Sequence, residues 1–246
     1  MTNTPAPGSL FVVSTPIGNL EDITYRAVRV LREADLVAAE DTRTTGFLLK
    51  HFDIRKPMVS YFSHNESRKA GRLVRALLQG QNVALVTDAG TPGISDPAYV
   101  VIREAVAAGI AVVPIPGSSA PLAALVASGL PMDRFVFEGF LPLKKGRQTR
   151  WSELKQEERT IVLFESPLRI VKAIEELITH LGDRRIAVVR EVTKKFEEVL
   201  RGNAVEVLER LKAREPRGEY VIVVAGTDFK SDHQAGYLHS FLSEPT

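Results

Sequence analysis

The sequence predicts an α/β protein built from two lobes, and three observations carry that expectation. Short apolar runs alternate with segments of helical periodicity along most of the chain. Polar loops recur just after the apolar runs. Near the middle, PIPGSSAPLAALVASGLPMDRF (114–135) gathers four prolines and many small residues, as a junction between lobes would. The expected division is 1–117, 118–230 and a short tail at 231–246.

In the first lobe, strands are expected at SLFVVS (9–14), LVAAE (36–40), MVSYF (58–62), NVALVT (82–87) and IAVVPI (110–115). NVALVT, rich in β-branched residues and bounded by Gly80 and Asp88, suits a strand buried on both faces. Two helices lie between these runs. Over 23–34, Ile23, Ala27, Val30, Leu31 and Ala34 share one face; over 68–80, Leu73, Val74, Leu77 and Leu78 do. A third helix, AYVVIREAVAAG, follows Asp96 as N-cap and Pro97 in the first turn, and stops at Gly109.

The second lobe restarts with strands at RFVFEGF, RTIVLFE, RRIAVVRE and EYVIVVAG, and helices at 147–158, 167–181 and 203–213. KKFEEVLRGNA reads as a hairpin strand or a helix. The last twenty residues carry little pattern.

Loops after strands are where an open α/β sheet binds small molecules. Here they are STPIGNLED (14–22), EDTRTT (40–45), TDAGTPGISDP (87–97), PGSSA (116–120), FEGFLP (137–142), FESPLR (164–169) and REVTKK (190–195). Several should converge on one cleft between the lobes, with Glu40, Asp41, Asp88, Glu138 and Glu165 near Arg43, Arg169 and Arg190. The loop after NVALVT lacks both GxxxxGK[ST] and GxGxxG, holds no lysine, and has a carboxylate at each end. Polyphosphate is disfavoured there, whereas ribose hydroxyls or an ammonium group would find acceptors in Asp88 and Asp96.

Composition excludes other chemistries. With no cysteine there is no disulfide, thiolate nucleophile or cysteine-ligated metal. The five histidines form no HExxH or paired spacing, so no metal site is expected. No GxSxG supports a serine hydrolase. Apolar residues at 44% and charged ones at 25% are ordinary for a globular protein. The N-terminal MTNTPAPGS has no charged and apolar signal pattern and no apolar run approaches 18 residues, so a cytoplasmic location without membrane partners is expected. A net charge of +2 gives no strong nucleic-acid footprint overall, yet LKKGRQTRW (143–151) concentrates Lys144, Lys145, Arg147 and Arg150 beside Trp151. That stretch reads either as a solvated loop leading into a helix or as a grip on phosphates with a stacking indole. His64, in SYFSHNE, could touch substrate or start the helix that follows.

Taken in order and spacing, STPIGNLEDIT, AAEDTRTT, SHNE, LVTDAGTPGISDP, PIPGSSA, SGLP, FEGFLP, FESP and RGEYVIV resemble the ribosomal RNA small subunit methyltransferase I family of the tetrapyrrole-methylase superfamily, over about residues 9–225. The resemblance implies a two-lobed class III methyltransferase fold, S-adenosylmethionine bound between the lobes, a homodimer, and methylation of a cytidine ribose 2′-oxygen in the decoding region of small-subunit RNA, free or in the assembled subunit. Carried over residue by residue, it implies cofactor contacts at Asp88, Ala89, Gly90, Ile94, Asp96, Ser119, Ala120 and Phe164. Glu40, Asp41 and Glu165 are the candidate general bases, Arg43 a candidate for positioning phosphate, and Lys144, Lys145, Arg147, Arg150 and His64 the candidate RNA contacts. Two departures stand out: family members commonly carry histidine where this chain has Thr44 and Leu168. Longer members also carry a further C-terminal helical module, whose RNA contacts would be missing here. Methylation of a small molecule or protein side chain, and a catalytically silent RNA-binding assembly factor, are the alternatives.

Overall fold

The computed structural model describes residues 6–62 and 66–229, which fall into two compact units. Unit 1 holds the chain up to Ala123 together with Val192–Lys195; unit 2 holds Ala124–Glu191 and the chain from Phe196 onward. The division therefore lies six residues beyond the expected 117, inside a continuous helix, and the chain returns to unit 1 once. The proline-rich stretch marks the neighbourhood of the boundary, but the helix it contains runs through it.

Unit 1 is a five-stranded parallel sheet in the order β3-β2-β4-β1-β5, formed by β1 (Leu10–Val13), β2 (Leu36–Ala39), β3 (Met58–Ser60), β4 (Val83–Val86) and β5 (Val112–Ile115). All four β4 residues are buried, which is why NVALVT carries no alternation. β5 contains Pro114, tolerated because this strand lies at the sheet edge. Helices cover both faces. Against one pack α1 (Tyr25–Glu33) and α2 (Thr42–His51), through Ala27, Val30, Leu31 and Leu49 on Val13, Val37, Ala84 and Val86. Against the other pack α3 (Glu66–Leu78) and α4 (Ala98–Ala107), through Leu73, Leu77, Val101 and Ala105 on Leu10, Val83 and Leu85. Thr24 caps α1 by accepting the Ala27 N–H at 3.1 Å.

Helix α2 is absent from the sequence-based expectation, which read EDTRTT as a loop. Its pattern is weak: three threonines and a mid-helix glycine lower its propensity, and only Thr45 and Leu49 are buried. Tertiary packing and the Asp41 cap hold it.

Unit 2 is a mixed sheet in the order β6-β7-β10-β8-β9. Its strands are β6 (Phe135–Phe140), β7 (Thr160–Glu165), β8 (Arg185–Arg190), β9 (Glu198–Asn203) and β10 (Tyr220–Val224). Only β6 and β7 run parallel; KKFEEVLRGNA supplies β9, antiparallel to β8. α5 (Ala120–Ser128) leads in from unit 1, and α6 (Arg147–Leu154), α7 (Ile170–Leu181) and α8 (Ala204–Lys212) follow in order. Trp151, Leu154, Ile174, Leu177, Val207 and Leu211 from the last three helices share one core with Ile161, Leu163, Ile186, Val188 and Ile222. At the start of α8, the Glu206 carboxylate accepts the Asn203 N–H at 3.1 Å. His64 and the 231–246 tail lie outside the described residues. Among those described, no helix is long and apolar enough to cross a membrane.

Two glycines should respond oppositely to alanine. A Cβ on Gly226 would stand 1.8 Å from the Glu158 carbonyl oxygen, whereas one on Gly71, inside α3, meets nothing within 4 Å. Gly226→Ala should destabilise by about 2 kcal/mol and Gly71→Ala should stabilise by about 0.5–1 kcal/mol, both read from urea unfolding; equal effects would contradict this packing.

Candidate functional site

The strand order of unit 1 places a crevice at one point. From β1 the chain leaves through α1 toward β2, on one side of the sheet; from the neighbouring β4 it leaves through α4 toward β5, on the other. Adjacent strands whose connections depart to opposite faces leave an open notch at their carboxyl ends, the place where open α/β sheets bind ligands.

That notch is fastened by short polar contacts. Thr15 and Gly90 exchange two backbone hydrogen bonds, of 2.9 and 3.1 Å. The Thr15 hydroxyl donates to the Thr87 carbonyl at 3.1 Å, and the Ser14 and Thr91 hydroxyls are hydrogen-bonded at 2.8 Å. Gly117 brings in the loop after β5, so close that a Cβ there would lie 2.9 Å from Ser14 Cβ. Ser118 donates to the Asp22 carbonyl at 3.2 Å. Gly90 takes φ +83°, and its missing side chain faces Ile17 and the Ser118 carbonyl. Three of the sequence-singled loops are thus joined. Ser14, Thr15, Thr87 and Thr91, which do the joining, were not singled out, although the repeated Thr-Pro of STPIG and GTPGI sits at two of them.

Carboxylates crowd one side of this notch. Glu40, at the end of β2, accepts the Thr87 hydroxyl at 2.5 Å and the Asp88 N–H at 3.2 Å through one oxygen. Asp88 accepts the Asp41 N–H at 3.2 Å. Its pKa is pushed up by desolvation first and the Glu40 charge second. Asp96 accepts the N–H groups of Gly93 and Ala98 at 2.8–2.9 Å, and burial raises its pKa as well. Those bonds hold a loop in which the non-glycine Ser95 takes φ +68°, a conformation costing about 1 kcal/mol. Asp96 is therefore occupied with shaping the loop and starting α4. Behind them Tyr61 is 2% exposed, and its hydroxyl is raised by burial and by the Asp96 and Glu40 charges.

The Asp41 carboxylate bonds outside this cluster. It caps α2 by accepting the Arg43 N–H at 2.8 Å and grips the Arg43 guanidinium at 2.6–3.1 Å. Those bonds pull its pKa down to about 2, which makes it a weak proton acceptor. Arg43 remains 86% exposed in its side chain. Ile94 is exposed, and Ser119 and Ala120 open α5, all within unit 1.

Unit 2 carries the remaining sequence-predicted residues, and it corrects part of that set. Arg147 is 8% exposed, bonded to Glu176 at 2.6 Å and to the Pro142 carbonyl at 3.2 Å, and lies 3.7 Å from Glu165. Trp151 is 1% exposed, donates its indole N–H to the same Glu176 at 3.2 Å, and stacks on His180. Neither can meet RNA. Periodicity explains the error: 147 and 151 are one helical turn apart on the face of α6 that packs inward. Arg150 is held by Glu138 at 2.5 Å and Glu153 at 2.5 Å, so only Lys144 and Lys145 stand exposed. Glu165 is buried and receives the Ser166 N–H at 2.7 Å and Arg169 at 2.8 Å, an arrangement that fixes the FESP turn and ill suits a base. Phe164 packs edge-on to Phe137, with centroids 5.1 Å apart. Leu168, in the position where a histidine was expected, is 95% exposed. Among the described residues, no three histidine or carboxylate side chains are grouped to hold a metal ion.

Residues 9–223 match the family model described as Tetrapyrrole (Corrin/Porphyrin) Methylases. The chain is 46% identical over 234 residues, covering 95% of this chain and 81% of its relative, to the ribosomal RNA small subunit methyltransferase I of Halalkalibacterium halodurans. Its identity to the protein of that name in Synechocystis is 49% over 221 residues, covering 89% and 79%. Among solved structures it superposes on uroporphyrin-III C-methyltransferase from Thermus thermophilus in complex with S-adenosylhomocysteine, with a TM-score of 0.60, 22% identity, and 89% and 97% of the two chains covered.

The Arg147 network makes a distinction that mutation can read. Arg147→Ala leaves Glu165 and Glu176 short of a buried counter-charge and should cost about 3 kcal/mol of stability. Replacing Lys144 and Lys145 with alanine should leave the melting temperature within a degree of the parent. A stable Arg147→Ala protein with weakened RNA binding would return Arg147 to the RNA-contacting set.

Proposed function

Because the chain belongs to the ribosomal RNA small subunit methyltransferase I family of the tetrapyrrole methylases, and so is an S-adenosylmethionine-dependent methyltransferase, we propose that it methylates the ribose 2′-oxygen of a cytidine in the decoding region of small-subunit RNA. One observation carries the assignment of the site: the β1, β4 and β5 loops are fastened together at the sheet's switch point, beside carboxylates and with no lysine in the loop after β4. S-adenosylmethionine fits that donor set. It is a nucleoside with ribose hydroxyls, an ammonium and a sulfonium, and no phosphate.

Asp88 is the residue we assign to the cofactor's hydrogen-bond donors. One of its oxygens is committed to the Asp41 N–H, and its pKa is raised by desolvation first and by the Glu40 charge second, both of which a bound cation would offset. Ala89, Gly90, Ile94, Ser119 and Ala120 supply backbone and apolar surface along the same loops.

Bound S-adenosylmethionine supplies an electrophilic methyl group, and the protein's share is orientation and proton removal. Holding the 2′-oxygen in line with that methyl can supply roughly 7–11 kcal/mol of the barrier. For proton removal we assign Glu40: Asp41 is held at about 2 by Arg43, Glu165 is locked by Arg169, and Asp96 by two backbone amides. Glu40 is oriented through one oxygen by Thr87 and Asp88, leaving the other for substrate. Arg43, Lys144 and Lys145 are the exposed cations we assign to RNA phosphates. A homodimer working on the assembled small subunit completes the proposal; the open β3 edge, with Met58 and Val59 exposed, supports pairing.

Incubation with labelled S-adenosylmethionine and unmodified small subunits, followed by nucleotide mapping, should place the label on one cytidine ribose; label on a base, or none, would overturn the reading. Glu40→Gln keeps the acceptor for Thr87 and should slow single-turnover transfer by about 10²–10⁴-fold with cofactor affinity held. Asp88→Asn should weaken cofactor binding while leaving stability at neutral pH equal or higher, since the ionised form is the disfavoured one in the folded protein. The sign in pH follows from the same shift. Cation binding needs ionised Asp88, so parent affinity should decline on acidification, beginning above the ordinary aspartate range, and the Asn variant should lose that decline; a parallel pH profile in both would remove Asp88 from the cofactor site.

A further inference from the structure

At the end of unit 2's sheet away from the FEGF and FESP turns, β7 and β8 begin and β9 and β10 end. A cleft of about 640 Å³ opens there, bordered by the last residues of α6 and α7. The strand length puts it roughly 20 Å from the FESP end of β7. Its charge is one-sided. Lys155, Arg184 and Arg185 line it against the single carboxylate of Asp183.

Arg184 is the fixed member. Its guanidinium donates to the carbonyl oxygens of Lys155 at 2.6 Å, Ala225 at 3.2 Å and Glu157 at 3.5 Å. These acceptors are neutral, so the group is held in place without losing its charge, and partial burial lowers its pKa from a value far above neutrality. A guanidinium so arranged is preorganised for a phosphate. Arg185 and Lys155 have no side-chain hydrogen bond or ion pair among the described residues. Asp183 is engaged by the Val205 N–H at 2.9 Å, at the start of α8. The cleft also presents Phe229, partly exposed, and the amide side chain of Asn203. Cations, an aromatic face and an amide together suit a nucleotide better than an acidic peptide, which would make no use of a stacking surface. The volume lies in the range of small-ligand clefts.

We propose that this cleft is a second RNA-binding site, seating one or two nucleotides of the substrate with phosphates against Arg184, Arg185 and Lys155 and a base on Phe229. It rests on the small-subunit RNA reading above and deepens it. The cleft and the FESP turn stand at opposite ends of unit 2's sheet, and the cleft is assigned to anchoring the RNA.

Lys155→Gln with Arg185→Gln in one chain tests this, since neither side chain supports the fold; Arg184 is kept because it braces three carbonyls. Anisotropy of a labelled single-stranded oligoribonucleotide of decoding-region sequence should show about tenfold weaker binding. The slope of log K against log salt should be shallower by about 1.4. Phe229→Ala should weaken binding several-fold without changing that slope. Methylation by the double variant should show a raised KM for RNA at an unchanged kcat, with the same S-adenosylmethionine affinity. An affinity and slope equal to the parent's would overturn the proposal, as would inorganic phosphate binding lost in the double variant while RNA binding is kept. Should the parent bind RNA but transfer no methyl group, the proposed function fails while the salt slope still decides the cleft.

Discussion

Much of this protein follows from the placement of β1 between β4 and β5. A parallel sheet must return each crossover over one face, and the handedness of that return is nearly fixed. With β1 feeding a strand on one side and β4 feeding a strand on the other, α1 and α4 cannot share a face, and the carboxyl ends of these two strands stay uncovered. The Thr15–Gly90 bridge then does locally what a further pair of ladder bonds would have done, keeping the two loops at a fixed spacing where the sheet has ended. The small residues around it are consequences of that approach: Gly117 leaves no room for a side chain against Ser14, and Gly90 takes the left-handed φ of +83°.

What the sequence made legible divides along the same line between pattern and contact. Strands such as VALV and YVIVV are buried on both faces, and their unbroken apolar runs say so. Helices with a strong stripe, α1 and α3, are equally plain. α2 is not, because threonines and Gly46 dilute its stripe and its stability comes from the Asp41 cap and from two buried residues. The site loops could be located from their position after strands, but their chemistry could not. Nothing in EDTR distinguishes the glutamate that turns toward Thr87 from the aspartate that turns toward Arg43, since the choice is made by which of two adjacent backbone positions begins the helix. The KKGRQTRW cluster shows the opposite failure: composition suggested a basic, aromatic surface, while helical phase sends Arg147 and Trp151 into a buried network with Glu176.

Buried charge is used differently in the two units. Around Glu165 every carboxylate has an arginine, and the network fixes a turn. Around Thr87 the carboxylates of Glu40, Asp88 and Asp96 are answered by backbone amides and one hydroxyl, which satisfy oxygen atoms but bring no neutralising charge. Burial first, and the neighbouring Glu40 charge after it, raise the pKa values of Asp88 and Asp96. Such a cluster lowers the stability of the empty fold, and a binding site is where that cost is commonly kept.

A methyltransferase acting on RNA must hold two partners of opposite charge, a cationic cofactor and a polyanion. One surface cannot favour both, because a field strong enough to draw the sulfonium into a notch repels the phosphates flanking the reacting ribose. The charge distribution here separates the tasks. The loop after β4 concentrates carboxylates and holds no lysine, whereas, Arg43 apart, the cations assigned to RNA belong to unit 2, at Lys144 and Lys145 and at the Arg184 cleft. Affinity for the polyanion can then come from many weak, salt-sensitive contacts. That leaves the carboxylates free to set the cofactor's position and, at Glu40, to accept the proton without competing with a phosphate for an arginine.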